Sequence, residues 1–479
     1  MRKIKCFTII ILFSLLIGMS TNAQSESIVL SVIMPDITNY NNISAETILA
    51  DFEATHPNVD VIVVPPPLAS FRLPAYLGSS AYFDGDQTGL GIASYVQSAD
   101  VLPFSSTQLK MEATRAGYLL DLMPLVQSDP DINIDDYYTV AWNSFQWEGS
   151  FWAIPVSLSP VTWLYDANAF DEVGLPYPSE NWEIDDFQDA VEALAKYNPD
   201  GTVRQAAFHS FFMDSFVRLI LADSFYTINE EQTIFPNIAN VEVENFINTW
   251  ATLEQNNLVA LGATNFDPNL APLQVTLLPF APSEDEGQRW EHATDIATSQ
   301  VEGYAVSSGT EHPYLAYELA RYLSSRPEML LTSGIHLPAN RSLSSQLEAM
   351  RYFDIYVGDH RAQLEETLEN ALPASDLLYS EYVASVLWDI QDGADPRIAL
   401  SNEQINSERN LEIADARLEQ VQNIAVVLPT STIDEGISLN FGIHNLLSVN
   451  YQTPQWQQFV NDFVSIQPSI SQLQIQSMS

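Results

Sequence analysis

The chain has 479 residues, 46% of them hydrophobic, and a formal net charge of −44. The imbalance comes from a shortage of base: Asp and Glu number 62 but Lys and Arg only 18, and total charge is 17% against the ~25% of an average protein. Nucleic acid and anionic membrane surfaces, which both recruit clustered cations, are excluded as expected partners.

Arg2, Lys3 and Lys5 precede the apolar run Phe7–Met19, and Thr21-Asn22-Ala23 supplies a small-residue cleavage site. This is the pattern of a cleavable signal peptide over residues 1–23 and predicts a periplasmic or extracellular protein. The run is shorter than the roughly 20 residues a spanning helix needs, so no stable membrane insertion is expected. Loss of the three basic residues takes the charge from −44 to −47. The single cysteine, Cys6, lies ahead of the run, where it cannot serve as a lipoprotein anchor. The mature chain is thus expected to have neither disulfide nor thiolate chemistry. Its length suggests two or three lobes of about 150 residues.

In chain order, Ile28–Met34 predicts a strand. Ser44 caps a helix with Ala45, Ile48, Leu49 and Phe52 on one face, and Val59–Val64 is a second strand. Strand, helix, strand implies a parallel sheet. Ala99–Leu102 is a third strand. Phe151–Pro155 and Val161–Tyr165 read as two separate buried strand ends, the first closed by Pro155. A helical turn over Asp166–Asp171 is broken at Gly174-Leu175-Pro176. Ile184, Phe187, Val191 and Leu194 then share one face of a helix whose acidic first turn suits the helix dipole. Ala206–Phe208 starts a strand, and Phe216–Ala222 and Val241–Leu258 are helical. Val275–Pro279 and Val301–Ser307 are strands, and Pro313 opens a helix with Ala316, Leu319, Ala320 and Leu323 buried.

Signals for chemistry are few. Five of the nine tryptophans fall between Trp142 and Trp182. Sugar rings stack on aromatics, but Trp and Phe also fill cores, and Trp182 reads as helix-entry packing. Asp129, Asp131, Asn133 and Asp135 have calcium-loop spacing, but Ile134 and Val140 stand where the loop needs Gly and Glu, so a solvated loop is expected. Gly89-Leu90-Gly91 is a lone pair of glycines, and the seven histidines show no ligand spacing. No metal, cofactor or catalytic residue is predicted, and the many carboxylates single out no glycosidase pair.

The order of Gly149, Ile154-Pro155, Leu164-Tyr165-Asp166, Ala169-Phe170, Gly174-Leu175-Pro176, Trp182 and Asp186-Phe187 resembles the extracellular solute-binding proteins of family 1. These receptors deliver sugars to ABC importers. Gly117–Leu125, Asp135–Tyr137, Gly303–Arg326 and Leu337-Pro338-Ala339 extend the resemblance over roughly residues 27–420. It implies an α/β, type II-like periplasmic binding protein fold of two lobes joined by crossover strands, with ligand in the interlobe cleft. The implied partners are a small solute, a carbohydrate by expectation, and ABC permease subunits. An exported carbohydrate-active enzyme, or a sensory module on the same fold, is the alternative.

By the same landmarks the ligand-binding residues are Asp36; Phe104, Ser105 and Ser106; Ser159, where the maltose-binding relative has a carboxylate; Trp163; Phe212 and Asp214; and Tyr379, where that relative stacks an aromatic. Asp36 and Asp214 would accept from sugar hydroxyls, and Phe104, Phe212 and Tyr379 would stack. Leu258–Pro272 is too short for the family's aromatic loop, and Trp290 would substitute for it. The expected division is residues 24–135 and 271–335 in the N-lobe, 136–270 and 336–425 in the C-lobe, and 426–479 as a linker and tail. In the tail, Phe459–Pro468 (FVNDFVSIQP) echoes Ile48–Pro57 (ILADFEATHP). It reads either as the truncated opening of a second solute-binding unit or as a helical C-terminus.

Overall fold

The computed structural model describes residues 27–34, 44–64, 90–210, 212–222, 224–261, 271–278, 288–332, 337–344, 361–377, 379–420, 426, 437–444 and 470–478. The signal-peptide segment and Asp36 lie outside these residues. The chain divides into two units, residues 1–427 and 428–479.

The first unit is built on a ten-stranded mixed sheet. Its strands are β1 (Ile28–Val32), β2 (Val59–Val63), β3 (Val101–Ser105), β4 (Ile154–Asp166), β5 (Phe208–Ser210), β6 (Val259–Leu261), β7 (Leu273–Leu277), β8 (Trp290–His292), β9 (Thr298–Val306) and β10 (Leu337–Pro338). The order runs β6-β5-β7-β4-β9-β3-β1-β2, with β8 and β10 also paired to β4. Between β1 and β2 the Ala45–Thr55 helix starts where the Ser44 hydroxyl accepts from the Thr47 N–H, and it buries Ile48, Leu49 and Phe52. The parallel register of β1 with β2 completes the expected βαβ unit. Asp100 locks β3 onto β1: its carboxylate accepts from the Ser31 N–H at 2.8 Å and the Ser31 hydroxyl at 2.6 Å.

β4 departs from the two short strands expected. It is one strand of 13 residues, all buried, running through Pro155 and Pro160. It pairs antiparallel with β9 from Ile154 to Val161 and with β7 from Val161 to Tyr165. A proline removes one ladder donor, and each falls where the ladder tolerates that loss. Pro155 sits opposite Gly303 at an irregularity in the register. Pro160 lies at the handover from β9 to β7, where its carbonyl accepts from the Leu278 N–H. Gly303 is required by close approach: a Cβ there would meet Phe145 Cε2 at 2.7 Å and the Ile154 carbonyl oxygen at 2.9 Å.

After β4 the chain turns into the Ala167–Val173 helix, capped by the Asp166 carboxylate and ended by Gly174 at φ +74°. The Ile184–Leu194 helix carries a capping box between Glu183 and Asp186 and buries Phe187, Ala190, Val191 and Leu194. These side chains join an aromatic core centred on Trp163, whose ring lies 5.6 Å from Trp182, 5.9 Å from Phe216 and 6.0 Å from Phe208. All five tryptophans from Trp142 to Trp182 are buried. In the second unit Ile437–His444 (β11) pairs with Ile470–Met478 (β12) in parallel register.

Candidate functional site

The sheet register determines where a site can form. β3 ends at Ser105, which lies opposite Glu302 of β9, and Glu302 in turn lies opposite Ser157 of β4. β5 ends at Ser210, opposite Val275 of β7, which faces Trp163 of β4. β3 and β5 therefore point their carboxyl ends toward the middle of β4 from opposite directions. Ligands of open α/β sheets bind beyond such ends, where the connecting segments diverge.

A crevice of about 410 Å³, counting space open to solvent, lies there. From the β3 side it is lined by Ser106, Lys110 and Glu112, and from the β5 side by Asp214 in the first turn of the Met213–Leu221 helix. Tyr379, Glu381 and Tyr382 close it from the start of the Ser380–Gln391 helix. Tyr379 holds φ +69°, a left-handed conformation uncommon for a residue with a Cβ.

The charges are matched in part. Lys110 Nζ lies 2.5 Å from Glu381 Oε2. Burial alone would lower the Lys110 pKa, but Glu381 and Glu112 raise it on balance. Glu112 accepts from the Tyr382 hydroxyl at 2.5 Å, and that hydroxyl accepts from Asn410 Nδ2 at 3.1 Å. Burial, then the Glu381 charge, pushes the Glu112 carboxyl up. Asp214 has no hydrogen-bond partner among the described residues. Burial first and Glu381 second raise its pKa to about 7, against the pull of Lys110. Tyr379 is 4% exposed and its hydroxyl also has no partner among the described residues. Outside the crevice, burial raises Glu302 of β9 to about 7, opposed by a hydrogen bond from Ser105.

Of the sequence-predicted residues, the crevice brings together Ser106, Asp214 and Tyr379. Ser105 is buried at the end of β3, with its hydroxyl 3.1 Å from that of Thr107. Phe104 is buried against Tyr95, and Ser159 is fully buried in β4. Trp163 lies in the aromatic core, so it cannot stack on a ligand without opening that core. Phe212 is buried at the head of its helix, and half-buried Trp290 sits on β8 opposite Asp166. Lys110, Glu112, Glu381 and Tyr382 were not singled out in the sequence. Lone charges in unremarkable segments carry no signal until the fold places them together. Asp129, the first residue of the calcium-like spacing, instead accepts from the Tyr317 hydroxyl at 2.9 Å and pairs with Arg321 at 3.2 Å. No cluster of His, Cys, Asp and Glu among the described residues has metal-binding geometry.

No protein-family model matches the chain. No curated protein matches it either. Solved structures do. The sugar-binding protein MalE of Xanthomonas citri aligns over 82% of this chain and 100% of its own, at 15% identity and a TM-score of 0.53. The ABC substrate-binding protein Lmo0181 of Listeria monocytogenes, solved with cycloalternan, aligns over 81% and 99% at 18% identity and a TM-score of 0.51. The galacto-N-biose/lacto-N-biose I-binding protein of Bifidobacterium longum, solved with lacto-N-biose, aligns over 81% and 98% at 13% identity and a TM-score of 0.51. The fold is thus the two-lobe α/β architecture of the ABC solute-binding proteins.

Proposed function

We propose that the protein is an extracytoplasmic receptor that holds a carbohydrate in the crevice and hands it to the permease of an ABC importer. The observation that carries this reading is a pair of polar groups in the crevice lining, the Asp214 carboxylate and the buried Tyr379 hydroxyl, neither hydrogen-bonded among the described residues. Sugar hydroxyls supply the donors and acceptors these groups lack. The sugars named for the structural neighbours support the choice of ligand class. The same reading assigns residues 24–135 and 271–335 to one lobe, 136–270 and 336–425 to the other, and 426–479 to a linker and the opening of a second unit. The parallel pairing of β11 with β12, like that of β1 with β2, supports the last assignment. Export rests on the residues 1–23 pattern, and no helix among the described residues is long and apolar enough to cross a membrane.

The test is a thermal-shift and calorimetric screen of mono- and oligosaccharides, followed by assay of each binder for turnover. Saturable binding without turnover, weakened about tenfold or more by Asp214→Asn or Tyr379→Phe, is expected, since each removes a hydrogen bond to ligand. Hydrolysis of a bound glycoside would overturn the receptor reading in favour of an exported enzyme.

A further inference from the structure

We propose that the crevice prefers a sugar bearing a protonated amino group over its neutral counterpart, an inference that rests on the carbohydrate-receptor reading above. Three carboxyl groups, Glu112, Asp214 and Glu381, share the crevice with the single ammonium of Lys110. Lys110 is committed to Glu381 at 2.5 Å, and Glu112 is held by the Tyr382 hydroxyl. Asp214 has no hydrogen bond among the described residues and shares the field of Lys110 with the two glutamates. A carboxylate in that position is costly to cover with a neutral ligand, because closure removes the water that solvates its charge. A ligand ammonium turns the same contact into a charge-assisted hydrogen bond, stronger than one between neutral groups.

Tyr379 is the independent sign that a ligand completes this site. The residue is 4% exposed, and its hydroxyl lacks a hydrogen-bond partner among the described residues. Of the orphaned buried groups among the described residues, it is Tyr379 that lines the crevice. The charge that acts most strongly on this hydroxyl is Glu112, another member of the crevice lining. Ser106 lines the same wall. Its hydroxyl accepts from the Val301 N–H at 3.0 Å and keeps its own proton to donate. One ammonium for Asp214 and ring hydroxyls for Tyr379 and Ser106 describe a small amino sugar better than an extended diamine, which has no hydroxyls to offer.

Calorimetry at pH 7.4 with glucosamine, N-acetylglucosamine and glucose as probes tests the proposal. Glucosamine is expected to bind about tenfold or more tightly than either neutral sugar, the scale of a hydrogen bond to a charged group. The ratio should shrink as salt is raised. In Asp214→Asn, the discrimination should collapse to within about threefold, with the thermal midpoint confirming that the variant is folded. Equal affinity for glucosamine and glucose in the unaltered protein would overturn the amino preference and leave the carbohydrate reading standing. Tighter binding of putrescine than of any sugar would overturn both. Binding of no sugar in a wider saccharide screen would overturn the carbohydrate reading itself.

Discussion

Asp214 links the site to the stability of the protein. Burial and Glu381 disfavour its ionised form and push its pKa up to about 7, above the usual aspartate range. Lys110, Glu112 and Glu381, with the Tyr379 and Tyr382 hydroxyls, are the titratable groups lining the crevice around it. A raised carboxyl pKa means the native state holds the proton longer than the unfolded chain does, so stability falls as pH rises from about 4 to 7 and stays reduced above. Glu302 follows the same rule from its place on β9. Asp214→Asn and Glu302→Gln should therefore each stabilise the unliganded protein at pH 8, by about 1–3 kcal/mol. The gain should vanish near pH 4.5, a comparison read from urea unfolding at the two pH values. At this scale the sequence revealed little of the site. Asp214 and Tyr379 were placed by landmark, whereas Glu112 and Tyr382 lie 270 positions apart and meet only through the fold. The tryptophan cluster was the louder signal, and it builds the core.

Periodicity made most elements legible, because one buried face imposes its spacing on the sequence. The Ile184–Leu194 helix and its acidic start emerge as read, as does the helix opening at Pro313. β4 was less legible because proline marks a strand boundary in most settings, and only the partner strands show where a missing N–H costs nothing. Two elements invite tests. Gly303→Ala forces a methyl into Phe145 and the Ile154 carbonyl, and should destabilise the fold by about 1–3 kcal/mol in urea titration. Asn240 caps the Val241–Gln255 helix by accepting from the Glu242 and Val243 N–H groups, while its amide donates to Ser224 O and Asn237 O. Asn240→Ala should cost about 1–2 kcal/mol in the same assay, with ligand affinity unchanged because the residue is not part of the crevice lining.

At the scale of the molecule, the two sheet halves face the crevice from opposite directions and share β4. A ligand held between them stabilises the native state by mass action, about 2.7 kcal/mol at one hundred times its dissociation constant. The thermal midpoint should rise by about 2–4 °C at that concentration. A midpoint left unmoved at that concentration would show that the sugar has no preference for the native state. The α/β class and the convergence on a cleft were legible from landmark order, but the shared thirteen-residue strand was not. Nor was the long-range insertion of β9, whose residues Thr298–Val306 wedge between β3 and β4. That insertion bears on how the polypeptide responds to a protease. A single cut between residues 173 and 289 would leave the C-terminal fragment's β9 clasped on both sides by strands of the N-terminal fragment. The nicked protein should elute as one particle from a sizing column and yield two bands only on a denaturing gel.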